Sequence, residues 1–193
     1  MFWKIKAILY SGFRHIFPFS YFLNEENAVF IRHVHHAIRP NDYVLDAGCG
    51  DGNATRALLK IYPQLRIMGV DQSPSMVKKA EQSNIVEIRI ASLDAVGVGD
   101  DTFDAVVCIG VTEYLNDIPA VLREIGRLAK PGAPMLITFA PPVFWNYLRF
   151  GYGKTLRLIS SDDASNYLQT NGWKILSQST TSMQIQFLAR NSA

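Results

Sequence analysis

Cysteine is scarce in this chain, with only Cys49 and Cys108 among 193 residues. Two cysteines cannot build a disulfide framework. With no Cys-x-x-Cys pair and no Cys/His cluster at ligand spacing, the chain offers neither a zinc site nor a dithiol redox motif. Long apolar runs are missing as well, and none reaches the roughly 18 residues needed to cross a membrane. Lys4, Lys6 and Arg14 interrupt the apolar N-terminus, which also lacks a small-residue cleavage site, so it does not read as a signal peptide. A reducing cytoplasm is the expected compartment. There is no repeat, low-complexity tract or long linker, and no large excess of either charge. The 19 Lys/Arg against 17 Asp/Glu leave +2, too little to suggest nucleic acid as a partner when no RNA-binding domain precedes the core.

What the chain does have is apolar content and alternation. At 48% hydrophobic and 19% charged it can bury a sizeable core, and a single domain over residues 1–193 is expected. Strand-like runs occur at Tyr43 to Asp46, Leu65 to Val70, Ile85 to Ile90, Phe103 to Ile109 and Ala133 to Phe139. Helical stretches headed by capping signals such as Ser73-Pro74 and Asn116-Asp117 separate them. Helices between strands imply right-handed crossovers and a parallel sheet, an α/β fold. After Pro141-Pro142 the rhythm changes to an aromatic stretch, a helix near Asp162 to Thr170, and two strands around Lys174 to Ser179 and Met183 to Ala189 that read as a terminal hairpin.

Chemistry is concentrated in Val44-Leu45-Asp46-Ala47-Gly48-Cys49-Gly50-Asp51-Gly52, an apolar strand that ends in three glycines and runs into a helical pattern from Asn53 to Ile61. Glycines let the backbone turn tightly and a ligand approach closely, and the helix behind them points unpaired N–H groups at whatever sits there. Asp71, about 20 residues on at the tip of the next strand, is placed to accept hydrogen bonds from the ribose hydroxyls of a nucleoside. A dinucleotide fingerprint starting at Gly48 would need glycine at position 53, where the chain has Asn53. NAD-dependent oxidoreduction is disfavoured on that ground.

The pattern D-x-G-x-G-x-G, carried by Asp46, Gly48, Gly50 and Gly52, resembles the class I S-adenosylmethionine-dependent methyltransferases. The resemblance covers Tyr43 to Phe139 well and the rest loosely. It implies a doubly wound, Rossmann-like, seven-stranded sheet, mostly parallel, with an antiparallel strand from the C-terminal hairpin. It implies S-adenosyl-L-methionine as cofactor, its amino-acid end against the glycine loop with Cys49, and Gln72 and Met76 beside Asp71. In Ile90-Ala91-Ser92-Leu93-Asp94 the family usually has an acidic residue for the adenine amino group, followed by an apolar one. Here the acidic position falls on Ser92, so Ser92 and Asp94 are both candidates, with Leu93 on the ring. In Asp104 to Leu115, Ile109 and Gly110 reach the carboxyl edge of the sheet, and Glu113-Tyr114 stands where many members have Glu-His. That departure puts base chemistry in doubt. Leu128-Ala129-Lys130-Pro131-Gly132 reads as a helix stop with a structural role.

A sulfonium already activates the methyl group, so no triad is required and none is visible. His33, His35, His36, Glu113 and Tyr114 are candidate bases for a hydroxyl acceptor, but no catalytic residue is assigned. The flanks are expected to choose the acceptor: residues 1–40 as a helical lid and 141–193 as acceptor-side segment and hairpin, around a cofactor core at 41–140. Residues 1–40 and 131–193 each carry five Lys/Arg against two Asp/Glu, while 41–130 carry nine against thirteen. This asymmetry fits a solvated surface, and it also fits ends that meet an anionic partner or a negatively charged membrane surface. If helical, residues 1–17 line Phe2, Ile5, Leu9, Phe13 and Ile16 along one face, as a lid over the core or an element peripheral to a membrane. The aromatic and basic stretch from Pro142 to Leu158 suits an apolar acceptor with an anionic group, or nucleic-acid bases and phosphates. The expected function is methyl transfer to a small lipophilic or aromatic acceptor, with an anionic metabolite second. The alternative is a catalytically silent module that keeps the fold for binding. No obligate protein partner is evident.

Overall fold

The computed structural model describes residues 19–81, 87–148 and 156–192. The reading of residues 1–17 as an amphipathic helix therefore lies outside the described residues, as do the start of the third predicted strand and Arg149, Phe150, Tyr152 and Lys154 of the aromatic stretch. The elements are α1 (Phe19–Ala37), β1 (Tyr43–Ala47), α2 (Asn53–Ile61), β2 (Arg66–Asp71), α3 (Pro74–Ala80), β3 (Glu87–Ile90) and β4 (Ala105–Cys108). After a 3-10 turn at Thr112–Tyr114 come α4 (Ile118–Leu128), β5 (Pro134–Phe139), α5 (Phe144–Leu148), α6 (Ser161–Thr170), β6 (Trp173–Thr180) and β7 (Ile185–Asn191).

The seven strands form one sheet in the order β3-β2-β1-β4-β5-β7-β6. β1 to β5 are parallel, and β7 enters antiparallel between β5 and β6, as the hairpin reading expected. Central strands bury side chains on both faces because helices cover both. Along β1 and β4, Val44, Ala105 and Val107 join one core with Phe30 and Val34 of α1 and Leu58 of α2. Leu45, Val106 and Cys108 join the other, with residues of α4 and α6. The pleat forces that alternation. α4 shows the helical counterpart: Ile118, Val121, Leu122, Ile125 and Leu128 are all buried, at the spacing that lines one face. Each contributes about 1.5–3 kcal/mol of transfer free energy.

Boundaries differ from expectation in two instructive places. β4 is shorter than Phe103 to Ile109, because Phe103 makes only an isolated bridge to Ala129 before the ladder begins at Ala105. Ser73 does precede α3, yet its hydroxyl lies 3.0 Å from the Ser75 hydroxyl and caps no amide. Asp117, by contrast, caps α4 by accepting from the Ala120 N–H at 2.9 Å.

Candidate active site

The chain leaves β1 for β2 and β3 on one side and returns to β4 on the other, so strand order reverses at β1. Open α/β sheets hold ligands at the carboxyl ends of the strands flanking such a point. A cleft of about 410 Å³ lies there.

Each glycine of the loop has a different reason to be glycine. Gly48 has φ +77°, and a Cβ on it would stand 2.4 Å from Val111 Cγ2. The loop after β4 packs against it there, and Gly48 also lines the cleft. Gly50 has φ +54° and only the Gly48 carbonyl oxygen, at 3.9 Å, near its missing Cβ. Here the space belongs to the cleft. Gly52, φ +80°, is the N-cap of α2 and does not line the cleft, in contrast to the cofactor-side place expected of it. The left-handed turn that starts the helix carries it behind the loop.

Asp71 stands at the end of β2. One carboxylate oxygen accepts from the Gly50 N–H at 3.0 Å, the other from the Ser73 N–H at 2.8 Å. Two backbone donors fix its orientation, and a carboxylate has about four lone-pair sites, so two acceptor sites remain for a ligand. Asp46 is buried beneath the loop, accepting from the Thr55 hydroxyl at 2.6 Å. Burial raises its pKa to about 6, and the Thr55 hydrogen bond only partly opposes it. Burial also pushes the Cys49 thiol far up, so this cysteine is not a nucleophile.

Of the remaining expected residues, Gln72 and Met76 line the cleft beyond Asp71, and Ser92, Leu93 and Asp94 line it after β3. Ile109, Gly110 and Tyr114 line it after β4. Gly110 has φ +69° with nothing within 4 Å of its missing Cβ, and its N–H donates to the Thr138 hydroxyl at 2.8 Å. The candidate bases separate. None of His33, His35, His36 and Glu113 lines the cleft, whereas Tyr114 does. His33 shares a helix with the cleft residues Glu26 and Phe30 but is buried with its Nδ1 3.5 Å from the Ser177 hydroxyl of β6.

Sequence reasoning missed the roof of the cleft: Glu26, Asn27 and Phe30 of α1 with Gln184 and Gln186 at the β6–β7 hairpin. The Gln186 side-chain amide donates to the Glu26 carbonyl at 2.9 Å, and the Ser182 N–H donates to the Glu25 carboxylate at 2.9 Å. These bonds join residues 157 and 160 positions apart, a pairing for which local sequence holds no signal. Among the described residues, no group of His, Cys, Asp or Glu is arranged to hold a metal.

Comparison with known proteins agrees with this geometry. Residues 45–137 match the family described as a methyltransferase domain. A demethylmenaquinone methyltransferase from Symbiobacterium thermophilum is 28% identical over 59% of this chain and 49% of its own length. A malonyl-[acyl-carrier protein] O-methyltransferase from Halorhodospira halophila is 36% identical over 51% of this chain and 35% of its own. The chain thus spans half or less of the curated relatives it matches. In structure, magnesium protoporphyrin IX methyltransferase from Synechocystis PCC 6803, solved with bound SAH, superposes with a TM-score of 0.69 at 23% identity, covering 86% of this chain and 81% of its own. The domain match, the glycine loop with its acidic partner, and the strand order together support a class I S-adenosylmethionine-dependent methyltransferase.

Proposed function

We propose that the chain transfers a methyl group from S-adenosylmethionine to a small acceptor that is largely apolar and ring-bearing. The observation that carries the reading is Asp71, held by two backbone amides at the cleft with two acceptor sites to spare. That arrangement suits a vicinal diol, the ribose of the cofactor. Ser92 and Asp94, lining the cleft after β3, would meet the adenine edge, with Leu93 as the apolar surface for the ring. The Gly48 to Gly50 turn, above Asp46, takes the amino-acid end. Among the described residues, the cleft is lined by Glu26, Asp46, Asp51, Asp71, Asp94 and Asp117 against Lys79 as the one lysine or arginine, an electrostatic environment that favours a cationic ligand. S-adenosylmethionine, when bound, supplies a methyl group already activated by its sulfonium. What the protein adds is alignment and exclusion of water.

The acceptor side is walled by Phe30, Val111, Tyr114, Leu115 and Val121, with the amides of Asn27, Gln184 and Gln186 at its rim. Apolar walls with a few amides fit a ring with hydrogen-bonding substituents. The relatives named for demethylmenaquinone and magnesium protoporphyrin IX support that class. The relative named for malonyl-[acyl-carrier protein] points to an anionic acceptor, which a lining so poor in cations disfavours.

Replacing Asp71 tests the reading. Asp71→Ala is expected to weaken S-adenosylmethionine binding about 10-fold or more, since a hydrogen bond to a charged group contributes about 1.5–3 kcal/mol. Affinity unchanged by the substitution would remove the ribose assignment.

A further inference from the structure

The strongest unassigned feature is an aromatic surface where the start of α1 meets α5. Tyr21, Phe144 and Tyr147 are 60%, 68% and 52% exposed. Tyr21 and Phe144 are the two ends of one run of rings. Tyr21 packs edge-on against Phe22 with centroids 6.1 Å apart, Phe22 lies 5.2 Å from Trp145, and Trp145 lies 5.5 Å from Phe144. Soluble surfaces expose single apolar residues freely, but a linked group of aromatic rings marks an interaction site.

Charge identifies the partner. The exposed positions of α1 are Tyr21, Asn24, Asn27, Ala28, Ile31, Arg32, His35 and His36, with no carboxylate among them. Both glutamates of that helix are half-buried, Glu25 accepting from the Ser182 N–H and Glu26 lining the cleft. The stretches of sequence that adjoin the surface, residues 1–18 before α1 and 149–155 after α5, carry Lys4, Lys6, Arg14, Arg149 and Lys154 and no acidic residue. All 17 Asp/Glu of the chain lie elsewhere. Exposed rings on a helix whose exposed positions include Arg32 and no carboxylate, flanked in sequence by these basic stretches, complement an interface of apolar chains and negative headgroups.

We propose that the exposed face of α1 together with α5 docks on an anionic lipid bilayer, inserting Tyr21, Phe144 and Tyr147 at the headgroup boundary. Basic groups supply the long-range attraction, which salt screens. Rings supply the short-range hold, which salt does not remove. Because Glu26, Asn27 and Phe30 of the same helix roof the cleft, docking brings the cleft close to the bilayer.

Flotation of the full chain with vesicles tests this without reference to methyl transfer. Vesicles of phosphatidylcholine mixed with phosphatidylglycerol are expected to carry the protein, and phosphatidylcholine alone to carry far less. The triple variant Tyr21→Ser/Phe144→Ser/Tyr147→Ser, all at exposed positions, is expected to bind the anionic vesicles about 10-fold more weakly or less. Circular dichroism and S-adenosylmethionine affinity of the variant check that its fold persists. Failure of the wild-type chain to float, or equal flotation of a folded triple variant, overturns the proposal. So does a concentration-dependent dimer that the triple variant abolishes while no vesicle binding is seen, since the surface would then serve a second copy of this chain.

Discussion

Gly48 and Gly50 stand two residues apart in one loop, both with positive φ, and the structure separates their roles sharply. At Gly48 a methyl group would collide with Val111, standing 2.4 Å from its Cγ2 and 2.8 Å from its Cγ1. Gly48→Ala is therefore expected to destabilise the protein by about 1–3 kcal/mol through overpacking, beyond the roughly 1–2 kcal/mol of left-handed strain. Gly50→Ala meets open space and is expected to show the strain alone, while weakening S-adenosylmethionine binding because its methyl group enters the cleft. Urea unfolding and calorimetry on the two variants separate these effects, and equal destabilisation would contradict the packing argument. Asp46 carries a second prediction. Its folded pKa, about 6, exceeds the unfolded value of roughly 3.9. The folded state thus holds the proton more tightly, and stability is lost as pH rises through about 4 to 6, by about 3 kcal/mol in all. Asp46→Asn keeps an acceptor for Thr55 and is expected to flatten that limb and to raise stability at pH 7; an unaltered pH profile would contradict the burial argument. These residues were legible because turn chemistry is local: Asp46, Gly48, Gly50 and Asp71 stand out by type and spacing. That a side chain at position 48 would meet Val111 was illegible, because it depends on how two strand-end loops meet.

Helices differ in how much of their role the sequence discloses. α6 illustrates a local signal: the Ser160 hydroxyl accepts from the Asp163 N–H at 3.1 Å, and neither residue lines the cleft. Ser160→Ala is expected to cost about 1 kcal/mol in stability and to leave cofactor affinity unchanged; a change in affinity would tie α6 to the site. α1 illustrates the opposite. Its three histidines invited a reading as bases, yet His33 is 4% exposed against the sheet, its Nδ1 3.5 Å from the Ser177 hydroxyl. Among the described residues, its Nε2 is the buried side-chain polar atom without a partner. Burial, then the neighbouring charges of Arg32 and His36, lower its pKa below 6.5. The unfolded chain binds the proton more readily, so stability is retained above pH 6.5 and lost as pH falls from there toward the folded pKa. His33→Leu is expected to remove that acid limb and leave the Asp46 limb intact, as thermal unfolding across pH would show. Persistence of the acid limb would assign it elsewhere. Helical periodicity could place His33 on a face of α1, but not the bulge in β6 between Ile175 and Ser177 that brings Ser177 beneath it.

Across the molecule, the alternation of strands and helices was enough to anticipate five parallel strands and a hairpin, because crossover handedness leaves few other topologies. The roof of the cleft was not, since it depends on β7 entering between β5 and β6 and presenting Gln184 and Gln186 to α1. The same division governs function. A glycine loop recognisable by spacing is joined to a cleft roof defined by long-range contacts, which only the fold assembles. Among the described residues, no helix is long and apolar enough to cross a membrane, and the aromatic surface by α1 and α5 stands apart from the cleft's acidic interior. Everything said of the acceptor depends on the cleft holding S-adenosylmethionine. The measurement that tests this most directly is calorimetric titration of the full chain with S-adenosylmethionine, S-adenosylhomocysteine and NAD. Binding of the first two in the micromolar range, with no heat from NAD, is the expected result. Heat from NAD, or from none of the three, would contradict it and leave a methyltransferase fold put to another use.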